Sequence, residues 1–142
     1  LNDGVKARTA YEAGITASCT EHGVSLDAIG TYLGNTNVAW NGAGTWGYTN
    51  LQKIYYQKWV SLFKQGLEAW AETRRTDIPL MGIAPGATPA TLLSAHNRPP
   101  FRWPYPQSEY SLNEANVSTA DDGIVDRFWG TQMWWDKRTG VH

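Results

Sequence analysis

Glu68 and Glu72 stand one helical turn apart in a stretch, Leu67-Glu68-Ala69-Trp70-Ala71-Glu72, that reads as helix. Side chains four residues apart on a helix can bring two carboxyl groups to about 5 Å, the separation at which a retaining glycosidase sets a nucleophile beside a proton donor. That pair is the one place where the chain suggests bond-breaking chemistry, as a small hydrolase. The same residues also have a plainer use. Arg75 follows Glu72 by three positions and Arg74 follows Trp70 by four, so ion pairing and a guanidinium stacked on an aromatic face account for both. Positive charge in the last turn of a helix also offsets the helix dipole. Structural pairing is therefore the expectation, with hydrolysis the alternative.

Other chemistries find less support. His22, His96 and His142 are scattered, and no H-x-x-x-H, H-E-x-x-H or D-x-D-x-D-G pattern occurs, so no metal ligand set and no cofactor follow from spacing. Asp121-Asp122-Gly123 has oxygens suited to calcium but reads as a turn. Gly42-Ala43-Gly44-Thr45-Trp46-Gly47 matches G-x-G-x-x-G before a helix. The dinucleotide fingerprint needs a preceding buried strand and a later acidic residue for the ribose, whereas here the order is helix, loop, helix. Cys19 is the single cysteine, which rules out an internal disulfide. Ile15 and Tyr11 lie one and two turns before it, so it reads as a small core residue. No charged start and apolar run precede it, so it is not expected to be a lipid-attachment cysteine.

Binding without bond-breaking is better supplied. Eight Trp and seven Tyr stand against three Phe, and Trp and Tyr join a flat apolar body to a polar edge. Three of them, Trp40, Trp46 and Tyr48, fall in a loop rich in Gly and Asn between Asn35 and Asn50. If any stretch touches ligand, these are the residues expected to do so. The alternative is that they pack against another part of a longer chain.

The elements that would hold these residues are helical. Leu51 to Pro79 reads as two consecutive helices, begun by a Thr49/Gln52 capping box and divided at Gly66. Leu51, Ile54, Tyr55, Trp59, Leu62 and Phe63 recur at three and four and predict one covered apolar side. Leu67, Trp70, Ala71 and the stem of Arg74 continue it until Ile78-Pro79 stops the helix. Upstream, Asp3 caps a helix from Gly4 to about His22 with Gly23 as its left-handed stop. Ser25 caps a shorter helix through Leu33, and the two should pack as an antiparallel pair. No period of about 34 residues marks a repeat array.

Downstream, Leu80 to Pro100 holds enough Pro, Gly and small residues to read as a long loop, with at most a turn of helix at Thr88 to Ser94. Phe101 to Pro106 is extended, since each residue before a proline is pushed out of the helical region. Ser108 begins a short helix through about Asn116, and Ser118 to Gly123 turns. Phe128, Trp129, Met133, Trp134 and Trp135 are expected to cluster, and Asp136 to His142 to form a loose charged end.

At 142 residues, 42% hydrophobic and 18% charged, the chain expects a core and one domain or a piece of one. A formal charge of −1 leaves no basic footprint for nucleic acid. No apolar run approaches the roughly 18 residues needed to cross a bilayer as a helix.

Gln57-Lys58-Trp59, Leu62-Phe63, Glu68-Ala69-Trp70-Ala71-Glu72 and Arg74-Arg75-Thr76, closed by Pro79, closely resemble the signature of SusD/RagB-type nutrient-binding outer-membrane lipoproteins. Tyr11-Glu12-Ala13-Gly14-Ile15 with Ala17-Ser18 looks like that family's preceding helix. Arg102, Tyr105-Pro106 and Glu109 resemble its R-x-P-Y-P-x-x-E strip, Asn113 its following asparagine, and Met133-Trp134-Trp135-Asp136 its terminal motif. The resemblance implies a mainly α fold: the irregular helical C-terminal part of a longer, tetratricopeptide-containing chain with long loops. Within it residues 3–33 would be a helical pair, 35–50 the aromatic loop, 50–76 the central helices, 79–106 a Pro/Gly-rich loop and 107–142 the closing helices and tail. It further implies a non-catalytic surface lipoprotein that captures oligosaccharides or peptides and passes them to a SusC-like TonB-dependent transporter in the outer membrane, anchored by a lipid that this stretch does not carry.

Overall fold

A computed structural model describes residues 3–80, 101, 105–120 and 130–139. Over these the chain is mainly helical, with no strand among the described residues. It divides into two compact units, Leu1–Pro79 and Leu80–His142.

In the first unit α1 spans Gly4–Glu21, and the Asp3 carboxylate accepts the Lys6 backbone N–H at 3.1 Å to satisfy one of the orphan donors of its first turn. Gly23, at φ 73°, lets the chain leave in the left-handed region, and the Val24 N–H returns to the Cys19 carbonyl at 2.9 Å. Ser25 then caps α2, Leu26–Gly34, which packs back on α1. Tyr11, Ile15 and Val38 form the buried centre, with Cys19, Leu33, Trp40 and Ile54 packed on it. The Tyr11 hydroxyl donates to the Val38 carbonyl at 2.8 Å, which fixes the exit of α2 against the middle of α1. Burial, reinforced by Tyr32, pushes the Tyr11 phenol up to about 12, so it stays a donor at any physiological pH. Tyr11→Phe leaves the Val38 carbonyl buried without that partner. It should lower unfolding free energy by about 1–3 kcal/mol in urea titration, whereas a change below a few tenths would show that the bond is replaced.

Thr49 and Gln52 make the reciprocal capping box at the start of α3, Asn50–Ser61. After a short turn α4 runs Gly66–Thr76 and ends at Asp77, which itself takes the left-handed φ of 60°. The apolar stripe expected to be covered on this pair is covered only in part: Arg74 is buried and Ile54 packs on the core. Leu51, Phe63 and Leu67 are exposed, and the buried residues are Lys53 on α3 and Glu72, Thr73 and Arg74 on α4. Hydrophobicity predicts burial only one way. A charged side chain goes inside wherever the fold supplies enough partners, and here a folded-back loop does so for Lys53 and ion pairs do so for Glu72.

In the second unit α5, Gln107–Leu112, and α6, Glu114–Ala120, pack on each other. One helix ending near Asn116 was the expectation. Asn113 divides it, with backbone at φ −137° and a side-chain amide that donates to Glu109 at 3.1 Å and accepts from Asn116 at 2.6 Å. Such local bonding competes with helical geometry. Helix then continues through Ser118 to Ala120, where a turn was expected. The expected loose end is corrected at Asp136 and Arg138, while its last residues, 140–142, lie outside the described residues. Asp136 and Arg138 are buried, joined to each other and straddled by the Gln132 amide, which donates to both their carbonyls. Met133 and Trp134 face solvent, Trp134 at 85% exposure, so neither forms the centre of an aromatic cluster. The expected loop at 81–100, the extended strip at 102–104, the Asp121-Asp122-Gly123 turn, Phe128 and Trp129 lie outside the described residues.

Candidate binding face

The loop from Asn35 to Thr49 is shaped by polar side chains that turn inward. Asn35 accepts the Asn37 backbone N–H at 2.9 Å on its side chain. The Asn37 side-chain oxygen in turn accepts the Trp46 backbone N–H at 3.1 Å and the Thr45 hydroxyl at 3.4 Å. A Cβ on Gly44 would overlap Asn37, so only glycine lets the two limbs approach this closely. Asn41, at φ 61°, exchanges hydrogen bonds with Asn50 at the first turn of α3. Beneath them the Lys53 ammonium, 2% exposed, donates to the carbonyls of Ala39 at 2.6 Å, Gly42 at 2.7 Å and Thr36 at 3.4 Å. Burial pulls its pKa below the ordinary lysine value. The Gly42-to-Gly47 match to a phosphate-binding loop is thus used for a lysine, and it follows a helix rather than a strand.

This wiring sends the three loop aromatics two ways. Trp40 turns in, half-buried, with its ring 5.6 Å from Tyr11. Trp46 and Tyr48 turn out and meet α3. Trp46 lies 4.8 Å from Tyr56 and 5.8 Å from Tyr48, Tyr48 lies 6.1 Å from Tyr56, and Tyr56 lies 6.1 Å from Trp59. All four contacts are tilted, within the range of favourable aromatic pairs. Trp46 remains 46% exposed and the other three are half-buried, so part of the group's aromatic surface is open to solvent. Tyr56 and Trp59 were not among the residues singled out for binding. Trp59 reads from its spacing as a core residue, and only the path of the loop brings Trp46 to α3.

The face has no acid near it in sequence: no Asp or Glu occurs between Asp27 and Glu68. Of the three lysines in that interval, Lys53 is spent inside the loop, Lys58 pairs with Glu72 at 2.9 Å, and Lys64 sits 5.4 Å above the Phe63 ring.

The paired glutamates divide. Glu68 is exposed, while Glu72 is buried and accepts from Lys58 and from the Arg75 guanidinium, which also stacks 5.4 Å from the Tyr55 ring. Burial alone would raise the Glu72 pKa, but the hydrogen bonds and charges of Arg75 and Lys58 outweigh it and hold the carboxyl below its ordinary range. Glu72 is therefore an anion clamped between two cations, which is the structural pairing its spacing to Arg75 suggests. Arg74 lies 4.6 Å over the Trp70 ring, the stacking its spacing suggested. Among the described residues no group of three His, Cys, Asp or Glu is placed to hold a metal, and no helix is long and apolar enough to cross a membrane.

The profile of the SusD-like_2 family, described as starch-binding associating with outer membrane, matches residues 2–106. The chain belongs to this SusD-like family. A solved structure titled Bacteroidetes AC2a SusD-like superposes with a TM-score of 0.66 at 28% identity, over 92% of the chain. The chain spans only 26% of the length of that SusD-like protein. No curated protein matches it. Set beside the fold, the residues that carry the SusD-like signature are mostly scaffold: Lys58, Glu72 and Arg75 tie α3 to α4, and Asp136 anchors the closing segment. The aromatic face is built from the loop before that signature and from Tyr56 and Trp59.

Proposed function

We propose that this chain supplies an oligosaccharide-binding face to a non-catalytic SusD-like protein at the bacterial cell surface, which delivers its ligand to a SusC-like TonB-dependent transporter in the outer membrane. The observation that carries the binding part is the partly exposed group of Trp46 and Tyr48 on the loop with Tyr56 and Trp59 on α3, held in place by the Asn37 bond to the Trp46 backbone. A pyranose ring has apolar C–H faces and a polar rim, and a tilted set of aromatics with hydroxyl edges complements both. No acidic residue occurs in the segment that carries the four rings, which favours a neutral glycan over a basic peptide, and the family description makes an α-glucan the natural first probe. Lipid anchorage and the transporter partnership rest on the SusD-like membership.

In the full-length SusD-like protein, Trp46→Ala and Tyr56→Ala should each weaken malto-oligosaccharide binding by about tenfold or more in titration calorimetry, about 1.4 kcal/mol, as for a central aromatic anchor. Unchanged affinity in both variants, with the fold intact by circular dichroism, would remove the face from the ligand site. A purely structural, transporter-docking role draws on the exposed apolar side chains Val24, Leu26, Phe63 and Leu67. Recovery of transporter in a pull-down together with no glycan or peptide binding would favour that role.

A further inference from the structure

We propose that Lys53 is the positioning residue of the aromatic face, setting Trp46 against Tyr56 by gathering the loop carbonyls of Thr36, Ala39 and Gly42 onto one ammonium. Its functional consequence rests on the binding role above, while its structural one rests on geometry alone.

Three N–H donors meet three carbonyl oxygens, so the buried ammonium is fully satisfied and the carbonyls, which would repel one another if brought together empty, share a cation. Backbone turns shape this part of the loop locally, with Val38 and Ala39 donating to the Asn35 carbonyl and Gly42 to that of Ala39, and the Lys53 ammonium joins those turns to α3. The coupling to the face is traceable. Asn37 lies inside the segment that Lys53 gathers, and its side-chain oxygen takes the Trp46 backbone N–H. Tyr56 is three residues beyond Lys53 on α3, so one helix carries both the clamp and the ring on which Trp46 rests. A planar guanidinium cannot aim three bonds at carbonyls converging from one side, and a methyl end cannot aim any.

The test follows 5-fluorotryptophan-labelled full-length protein by fluorine NMR, with the Trp46 signal identified by its loss in Trp46→Phe. In Lys53→Met the Trp46 signal should move to the position of a solvated indole while the Trp70 signal stays. Malto-oligosaccharide affinity should fall by about tenfold if the assembled loop drops to about one molecule in ten. Should Lys53→Met fail to fold, Gly42→Ala carries the test from the other side. Its Cβ would overlap the Thr36 carbonyl and open the cage with Lys53 in place, and the same movement of the Trp46 signal is expected. A Trp46 signal unmoved in either folded variant overturns the proposal, even if affinity falls. A signal that moves in protein whose wild type binds no glycan upholds the positioning role and sinks the binding role alone.

Discussion

Replacing Asp136 with alanine is expected to destabilise the unit formed by residues 80–142 by about 3–5 kcal/mol, the usual consequence of removing one partner from a fully buried ion pair. The two side chains are 0% and 2% exposed. Arg138 donates to the carboxylate from Nε at 3.0 Å and from Nη2 at 2.9 Å, and its backbone N–H adds a third bond at 3.1 Å. The guanidinium also lies 5.1 Å over the Phe101 ring, which supports the cation from one side but cannot replace an anion. Removing the carboxylate therefore takes the Asp136 anion and its hydrogen bonds away from a guanidinium whose side chain is almost wholly buried. The double variant Asp136→Leu with Arg138→Met should recover most of the loss, because a buried pair is nearly neutral against apolar groups of similar volume. Urea titration of the three proteins decides it. A single variant within about 1 kcal/mol of wild type would mean that the pair is not enclosed in solution.

The contrast between this pair and the loose charged end expected there marks the boundary of what the chain discloses in one dimension. Caps are legible because they are local. Asp3, Ser25 and the Thr49/Gln52 box each act on a backbone N–H no more than three residues away, and each begins a helix where the spacing puts it. The mainly helical fold and the SusD-like resemblance were legible for a related reason, since the signature is a run of helix-face residues in fixed order. What depends on the path of a loop was not. Lys53 looks like any solvated lysine until residues 36–42 wrap its head. Trp40 and Trp46 share one loop and one composition, yet one packs on Tyr11 and the other on Tyr56. Tyr56 itself gives no signal, because its partner comes from ten positions upstream.

Glu72→Gln should cost about 2–3 kcal/mol and remove an acid-sensitive component of stability. Glu68 and Glu72 have equal helical spacing, and the difference between them comes from Lys58, fourteen positions back on α3, which reaches Glu72 at 2.9 Å. Glu72 is 6% exposed, whereas Lys58 and Arg75 keep 53% and 49% of their side chains in water. That screening places the loss below that of the Asp136 pair. The sign with pH follows from the depressed pKa of the folded carboxyl. Unfolded, Glu72 takes up its proton near the ordinary glutamate value, while the folded form resists until lower pH. The stabilisation is therefore whole above the ordinary value and is lost as pH falls through the folded one. Wild type should lose stability over that acidic window faster than Glu72→Gln, so the two unfolding curves converge as pH drops. A constant gap from neutral pH down to about 3 would show that the variant loses packing rather than charge pairing. Convergence would instead identify Glu72 as the ionic tie that holds α4 to α3 beneath Tyr55, a role a hydrolytic acid in the same position could not fill.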